Sequence, residues 1–362
     1  VTPLARQIAA LIAADGPMRV SDFMRHALYD PAHGYYCTRQ ALGAAGDFIT
    51  APEVSQIFGE LLGLWCVQSW LDMGAPARVE LIELGPGRGV LMADALRAAC
   101  RAAPEFRAAA AVTLVEINPW LRAAQGERLA GAQTVRWTPR LADAPPGPSL
   151  ILANEFLDCL AIRQFVRTQG GWRERLVGLD AAGELAFGLA ATPTPEGMIP
   201  AVLRDSPTGS LVEISPGLQS IVLLLQARFD LAPGRALFID YGASAPSPGD
   251  TLQAMRAHRR RHPLEAPGET DVTAHVDFAA LAAHARVAGL TVAGPVTQAA
   301  FLGVLGVAQR GAALARANPN RCEEILAGVA RLTDADGMGV LFKAICLSSP
   351  GLAPAVGFQG PT

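Results

Sequence analysis

Apolar positions in this chain fall into short unbroken runs separated by stretches of helical spacing, the pattern of buried strands alternating with amphipathic helices. Val79–Leu84 is the clearest run, and it breaks into the turn Gly85-Pro86-Gly87-Arg88-Gly89. The next segment, Val90 to Cys100, puts Leu91, Ala95, Leu96 and Ala99 on one side of a helix. Further strand-like runs are Val112–Val115, Thr134–Trp137, Leu150–Ala153 and Ala236–Ile239, with Leu290–Ala293 and the closing run Val340–Leu347 beyond them. Val276–Ala288 and Pro319–Leu332 read as helices. Such alternation predicts an α/β fold with a mostly parallel sheet, and right-handed crossovers bring the strands' carboxyl ends to one edge.

Two regions break the alternation. Ahead of residue 79 the chain predicts helices over Leu4–Ala14 and Val20–Ala27, then a glycine- and aromatic-rich loop from Gly34 to Glu53. A strongly apolar helix follows over Val54–Met73, started by Glu53 or Ser55 and stopped by Gly74 and Pro76. Between Arg163 and Glu213, the runs Gln164–Thr168, Trp172–Leu179 and Glu184–Leu189 alternate with turn residues and predict a β-rich insertion. Ser244–Ala274 reads as a long polar loop. The expected organisation is an N-terminal helical and lid segment (1–77), a core (78–162 and 214–350) and an inserted substrate-side unit (163–213).

The chain has 362 residues, 51% hydrophobic and 17% charged, enough apolar material for a large core. A formal net charge of −3 argues against a nucleic-acid partner. No apolar run approaches the ~20 residues that span a bilayer. Cys37, Cys66, Cys100, Cys159, Cys322 and Cys346 are scattered without a C-x-x-C pair, which suits buried thiols in a reducing compartment and predicts no metal site. The N-terminal stretch lacks the layout of a signal peptide. A lone lysine, Lys343, among abundant arginine, alanine and glycine suggests a GC-rich, bacterial genome and hence a cytoplasmic location.

A strand, a glycine-rich turn and a helix form the usual nucleotide-cofactor cradle. The dinucleotide pattern G-x-G-x-x-G wants a third glycine where this chain has Val90, and Glu83 stands two residues before the first glycine. A carboxylate there would repel a pyrophosphate but suits an amine-bearing ligand without phosphate, such as S-adenosylmethionine. Glu116 ends the second strand, where an acid accepts the ribose hydroxyls of an adenosine; a strand-end acid or a helix cap is the plainer reading. Asn154, Glu155 and Asp158 follow the fourth strand, on the edge where a transferred group would sit. If the acceptor is a guanidinium, two carboxylates can hold it so that one nitrogen faces the methyl group. Capping of a following helix by Asn154 explains the same residues structurally.

Gly46-Asp47-Phe48-Ile49-Thr50-Ala51-Pro52-Glu53 is dense enough to act as a lid over the cofactor, or simply to cap the next helix. Glu213 is a candidate third carboxylate at the active edge, and His275 a candidate proton acceptor. His258 and His262 lie with Arg256, Arg259, Arg260 and Arg261 in the long loop, read as a solvated basic surface or a contact for an acidic partner or RNA. Asp277 is a candidate helix cap.

Taken together, these motifs resemble the MidA family of class I S-adenosylmethionine-dependent methyltransferases over nearly the whole chain. The resemblance rests on Gly34-Tyr35-Tyr36, Gly46–Glu53 with Phe58-Gly59, Glu83–Gly89 with Leu91-Met92, Asn154–Asp158, Ile239-Asp240-Tyr241-Gly242, Gly249–Gln253 and Thr273–Phe278. A departure is Cys159-Leu160-Ala161, where the family often has a proline near position 161. The resemblance implies a Rossmann-like sheet of seven strands, the last antiparallel, with helices on both faces and a β-rich insertion. It implies S-adenosylmethionine as cofactor, held by Glu83, Gly85, Pro86, Gly87, Gly89, Glu116, Asn154, Thr50 and Pro52. Glu155, Asp158 and Asn154 would carry the catalysis. Mitochondrial members are complex I assembly factors, which implies a protein partner, symmetric dimethylation of an arginine on a complex I subunit, and the matrix as location for a eukaryotic chain. Homodimerisation stays open. So do a non-catalytic assembly role on the same fold, an RNA or small-molecule methyltransferase and, from the glycine turn alone, an NAD-linked oxidoreductase.

Overall fold

The computed structural model describes residues 1–38, 50–131 and 135–358. The lid residues Gly46 to Ile49, and the first residue of the expected third strand, Thr134, lie outside them. Among the described residues seven strands run through the central sheet, β1 (Val79–Leu84), β2 (Ala110–Val115), β3 (Val135–Thr138), β4 (Ser149–Asn154), β5 (Gly234–Ala243), β6 (Thr291–Thr297) and β7 (Phe342–Ser348), and an eighth of two residues, Val276–Asp277, pairs only with the end of β5. Their spatial order is β6-β7-β5-β4-β1-β2-β3. Only β7 runs against its neighbours, pairing antiparallel with both β5 and β6. The sheet is doubly wound, and the carboxyl ends of β1, β2, β4 and β5 meet on one edge.

Helices cover both faces. On one side Gln56–Asp72 and Val90–Ala102 pack with the C-terminal helices Val307–Ala317 and Cys322–Thr333. Pro216–Phe229 and Phe278–Val287 cover the other. The first helix approaches its neighbour unusually closely through two glycines one turn apart. A Cβ on Gly59 would stand 2.7 Å from the Asp94 Cβ, and one on Gly63 would collide with the Ala95 carbonyl. That helix is also pinned by buried charge. Glu60 accepts from Arg97 and Arg310, each at 2.6 Å, and the wholly buried Arg235 donates to Asp72 at 2.6 Å.

The inserted strands form a separate antiparallel sheet ordered Met18–Arg19, Gly171–Leu179, Arg163–Thr168, Leu211–Ile214, with Leu185–Leu189 paired to Gly171–Leu179. Its apolar face packs with the N-terminal helices Pro3–Asp15 and Val20–Tyr29 in a third core that also includes Cys159 and Ile162. The N-terminal segment is thereby held against the active edge of the large sheet.

Four local expectations are corrected. The apolar helix is broken at Ser55, whose extended backbone separates Ala51–Val54 from Gln56–Asp72; its Oγ accepts the Ile57 N–H at 3.3 Å. The 244–274 stretch is not all loop: Gln253–Arg256, Arg259–Arg261 and Asp271–Thr273 form a small antiparallel sheet. The exposed arginines of its edge strand hid it, because they carry no apolar alternation. Val276–Asp277 pairs parallel with the end of β5, so the helix begins at Phe278, capped by Asp277 accepting from Ala280 N at 2.8 Å. Pro319 opens a 3-10 turn, and the helix begins at Cys322.

Candidate active site

All six residues of β1 are buried, so Glu83 reaches the sheet edge inside the protein. Its Oε2 is buried without a hydrogen-bond partner. Burial, with the nearby Glu116 carboxylate adding, pushes Glu83 up to about 8. The turn after it has Gly85, Gly87 and Gly89 at φ values of +62°, +52° and +74°. This left-handed backbone is one that glycine alone adopts without strain. The turn closes with Gly89 N donating to the Pro86 carbonyl at 2.8 Å, and Gly89 starts the Val90–Ala102 helix.

Glu116, at the end of β2, is buried. Its Oε1 accepts Asn118 N at 2.8 Å, and burial raises its pKa against that bond. The helix cap next to it is Asn118, whose side chain accepts Trp120 N at 2.9 Å. Glu116 is therefore not the cap. Gln125, which the sequence did not single out, joins the two motifs. Its amide donates to the Gly87 carbonyl at 2.6 Å and faces Glu116 Oε2 at 3.4 Å, while its oxygen accepts from the Trp137 indole at 2.8 Å.

No helix follows Asn154, which removes the capping explanation for the strand-four residues. Asn154 donates to Glu155 Oε1 at 2.9 Å and keeps its own Oδ1 buried and unpartnered. Glu155 stands at φ +50°, sparsely populated for a residue with a side chain. Its Oε1 also accepts Ala51 N at 3.2 Å, tying the short helix Ala51–Val54 to the edge. Burial, then the Asp158 charge, lift Glu155 to about 7. Asp158 is lifted to about 6 by burial, although the Tyr241 hydroxyl donates to its Oδ2 at 2.6 Å and pulls the other way. Asp158 Oδ1 is buried with no hydrogen-bond partner among the described residues, although the backbone N–H groups of Cys159 and of Asp158 itself lie close enough to the carboxylate to pull its pKa down.

One cavity of about 490 Å³ joins these groups. Glu83, Gly85, Pro86, Gly87, Glu116, Thr50, Pro52, Asn154, Glu155 and Asp158 all line it; Gly89 stands behind the turn as the helix cap. Glu213 is not at this edge. It accepts from Gln164 (2.8 Å), from Thr251 N (3.1 Å) and from the Thr251 hydroxyl, and so fixes a loop beside a smaller pocket. His275 lines that smaller pocket too, with its ring edge-on to Tyr241, and burial lowers its pKa. Tyr29, Tyr36, Tyr241 and Asp271, to none of which the sequence assigned a site role, also line the large cavity. The end of β5, a strand reaching the same edge, was the available signal for Tyr241. Among the described residues no cluster of three or more His, Cys, Asp or Glu could hold a metal ion.

The unpartnered Glu83 and Asn154 oxygens, the glycine turn and the acid ending β2 are what an amine-bearing adenosyl cofactor requires, and S-adenosylmethionine fits them. Fold and site together define a doubly wound S-adenosylmethionine-dependent methyltransferase. The chain belongs to a family described as S-adenosyl-L-methionine-dependent methyltransferases, whose model matches residues 61–296. It is 36% identical to the zebrafish mitochondrial protein arginine methyltransferase NDUFAF7, over 94% of this chain and 85% of that protein. To the human protein of the same name it is 36% identical, over 96% and 83%. A crystal structure of a Burkholderia thailandensis protein bound to S-adenosyl-homocysteine superposes with a TM-score of 0.85 at 29% identity, covering 98% of this chain and 93% of that one.

Proposed function

We propose that the chain transfers methyl groups to arginine side chains of a protein substrate. The observation that carries this reading is the pair of carboxylates after β4. Each has one oxygen committed to the protein and one left over among the described residues: Glu155 uses Oε1, and Asp158 uses Oδ2. Two acceptors on one edge suit a group with several N–H donors and a positive charge. Arginine is also what the mitochondrial relatives are named for acting on.

Bound S-adenosylmethionine supplies a methyl carbon on a positively charged sulfur, and the bond pair stays with sulfur when the methyl leaves. The chain's residues do the rest. Glu83 and Asn154 meet the amino-acid end of the cofactor and Glu116 its ribose. Glu155 and Asp158 hold the acceptor so that one nitrogen faces the methyl carbon, which supplies most of the rate in such a transfer. The acceptor must shed a proton as it gains the methyl group. A carboxylate lifted to about 7 or 6 is a better proton acceptor than an ordinary one.

A complex I subunit as substrate, a symmetric dimethylated product and homodimerisation belong to this proposal by resemblance. So do a cytoplasmic location for a bacterial chain and the matrix for a eukaryotic one. The roles of 1–77 as lid and of 163–213 as the substrate-side unit are likewise proposed. The test is to incubate the protein with methyl-labelled S-adenosylmethionine and a cell extract, then hydrolyse the proteins. Label in methylarginines supports the reading; label confined to other amino acids or to RNA overturns it.

A further inference from the structure

The cavity that holds Asn154 and Glu155 is also lined by residues that the nucleotide-binding motifs do not explain. The chain has four tyrosines. Three of them, Tyr29, Tyr36 and Tyr241, line this cavity, and the fourth, Tyr35, packs edge-on against Tyr36 with centroids 5.3 Å apart. They come from distant parts of the fold: the N-terminal segment and the end of β5. Each hydroxyl is held by the wall. Tyr29 donates towards the Cys159 carbonyl at 3.3 Å with the Cys159 sulfur at 3.1 Å, Tyr36 donates to Asp271 at 2.9 Å, and Tyr241 donates to Asp158. Besides ring surface, the polar groups this lining offers an occupant include the buried Asp158 Oδ1, which has no hydrogen-bond partner among the described residues.

Resting on the arginine reading above, we propose that Tyr29, Tyr36, Tyr241 and Asp158 form the acceptor subsite, and that it selects a guanidinium over an ammonium. A guanidinium is flat, weakly hydrated and content against aromatic rings. One free carboxylate oxygen here, with the Glu155 oxygen beside it, satisfies two of its donors. An ammonium is a compact, strongly hydrated point charge, and losing its water to ring surface and one or two acceptors costs more than this lining returns. The tyrosines act by shape and ring contact, so the selection resides in the rings and not in their hydroxyls.

The test uses the full chain loaded with S-adenosylhomocysteine and two probes, methylguanidinium and methylammonium chloride, at equal ionic strength. Saturation-transfer NMR reads contact of each probe with the protein, and titration gives its affinity. The expected result is saturable binding of methylguanidinium, about tenfold tighter than methylammonium. Tyr36→Phe should keep that preference. Tyr36→Ala and Asp158→Asn should lose it while binding S-adenosylhomocysteine as the wild type does, which shows they are folded. Equal binding of the two probes, or a Tyr36→Ala protein that keeps the preference, overturns the subsite. Should the probe preference hold while no arginine in any protein is methylated, the arginine reading fails and the guanidinium subsite stands.

Discussion

Oδ2 of Asp240 accepts the backbone N–H of Leu157 at 2.8 Å. The same oxygen takes the N–H groups of Phe156 at 3.0 Å and Asp158 at 3.2 Å, while Oδ1 takes its neighbour Tyr241 N at 2.9 Å. One buried carboxylate at the end of β5 thus gathers three successive amides of the loop after β4. That loop holds Glu155 in its left-handed conformation and aims Asp158 at the cavity.

Asp240→Asn removes the charge and turns a donor toward at least one of these amides. A buried amide left without an acceptor costs about 1–3 kcal/mol. The variant should melt several degrees lower, and its turnover should fall more than its affinity for S-adenosylmethionine. Calorimetric melting with parallel cofactor titration checks this; normal turnover in a folded variant would dissociate the loop from the chemistry.

Glu83 gives a pH dependence whose sign is fixed by its raised pKa. The native state holds the proton up to about 8, whereas the unfolded chain releases it near the ordinary glutamate value of 4.5. Its contribution to stability is therefore complete below that lower value and is lost as pH rises towards 8. Glu83→Gln should flatten this part of the stability–pH curve of the cofactor-free protein. An ammonium favours the ionised form, so S-adenosylmethionine should release a proton from the site on binding near pH 7. Titration in two buffers of different ionisation enthalpy measures that release, and buffer-independent heats would count against the pairing.

Gly85→Val places a β-branched residue at φ +62°, with its Cβ 3.2 Å from the Phe156 ring. Left-handed backbone costs such a residue roughly 1–2 kcal/mol before any contact is counted. Because the turn is the floor of the cofactor cradle, S-adenosylmethionine affinity should drop at least about tenfold. Wild-type affinity in this variant would remove the turn from the binding site.

Gly63→Val should act on the fold and not on the site. Its side chain meets the Ala95 carbonyl across the helix pair, and overpacking of this kind costs typically ~1–3 kcal/mol. Thermal unfolding should shift down, whereas Gly303→Ala, at a helical position where a Cβ meets nothing within 4 Å, should move it far less. Equal shifts would show that the two helices can slide apart.

The parts of the site legible in the sequence were those where a strand's apolar run stops at a polar residue: Glu83, Glu116 and Asn154 stand where β1, β2 and β4 end. Local pattern was enough for these because a parallel sheet aligns its strand ends. Asp240 and Tyr241 sit in an equivalent place, but their importance lies in bonds to residues 82 to 84 positions away, which no local pattern records. Tyr29 and Tyr36 reach the cavity only because the N-terminal helices dock on the inserted sheet. Glu213 misled because a buried acid between apolar residues looks the same whether it faces a substrate or, as here, clamps Thr251. The Arg259–Arg261 strand was missed because an exposed edge strand needs no apolar face.

Glu155 carries the central claim, because its proposed role is on the acceptor and not on the cofactor. A single-turnover assay with labelled S-adenosylmethionine and a methyl-accepting protein, run on wild type and Glu155→Gln and joined to calorimetric cofactor binding, tests it most directly. The expected result is unchanged S-adenosylmethionine affinity, transfer reduced at least about a hundredfold, and wild-type transfer that rises with pH through about 7, the value to which Glu155 is lifted. Undiminished transfer by Glu155→Gln, with the cofactor bound normally, would contradict the account.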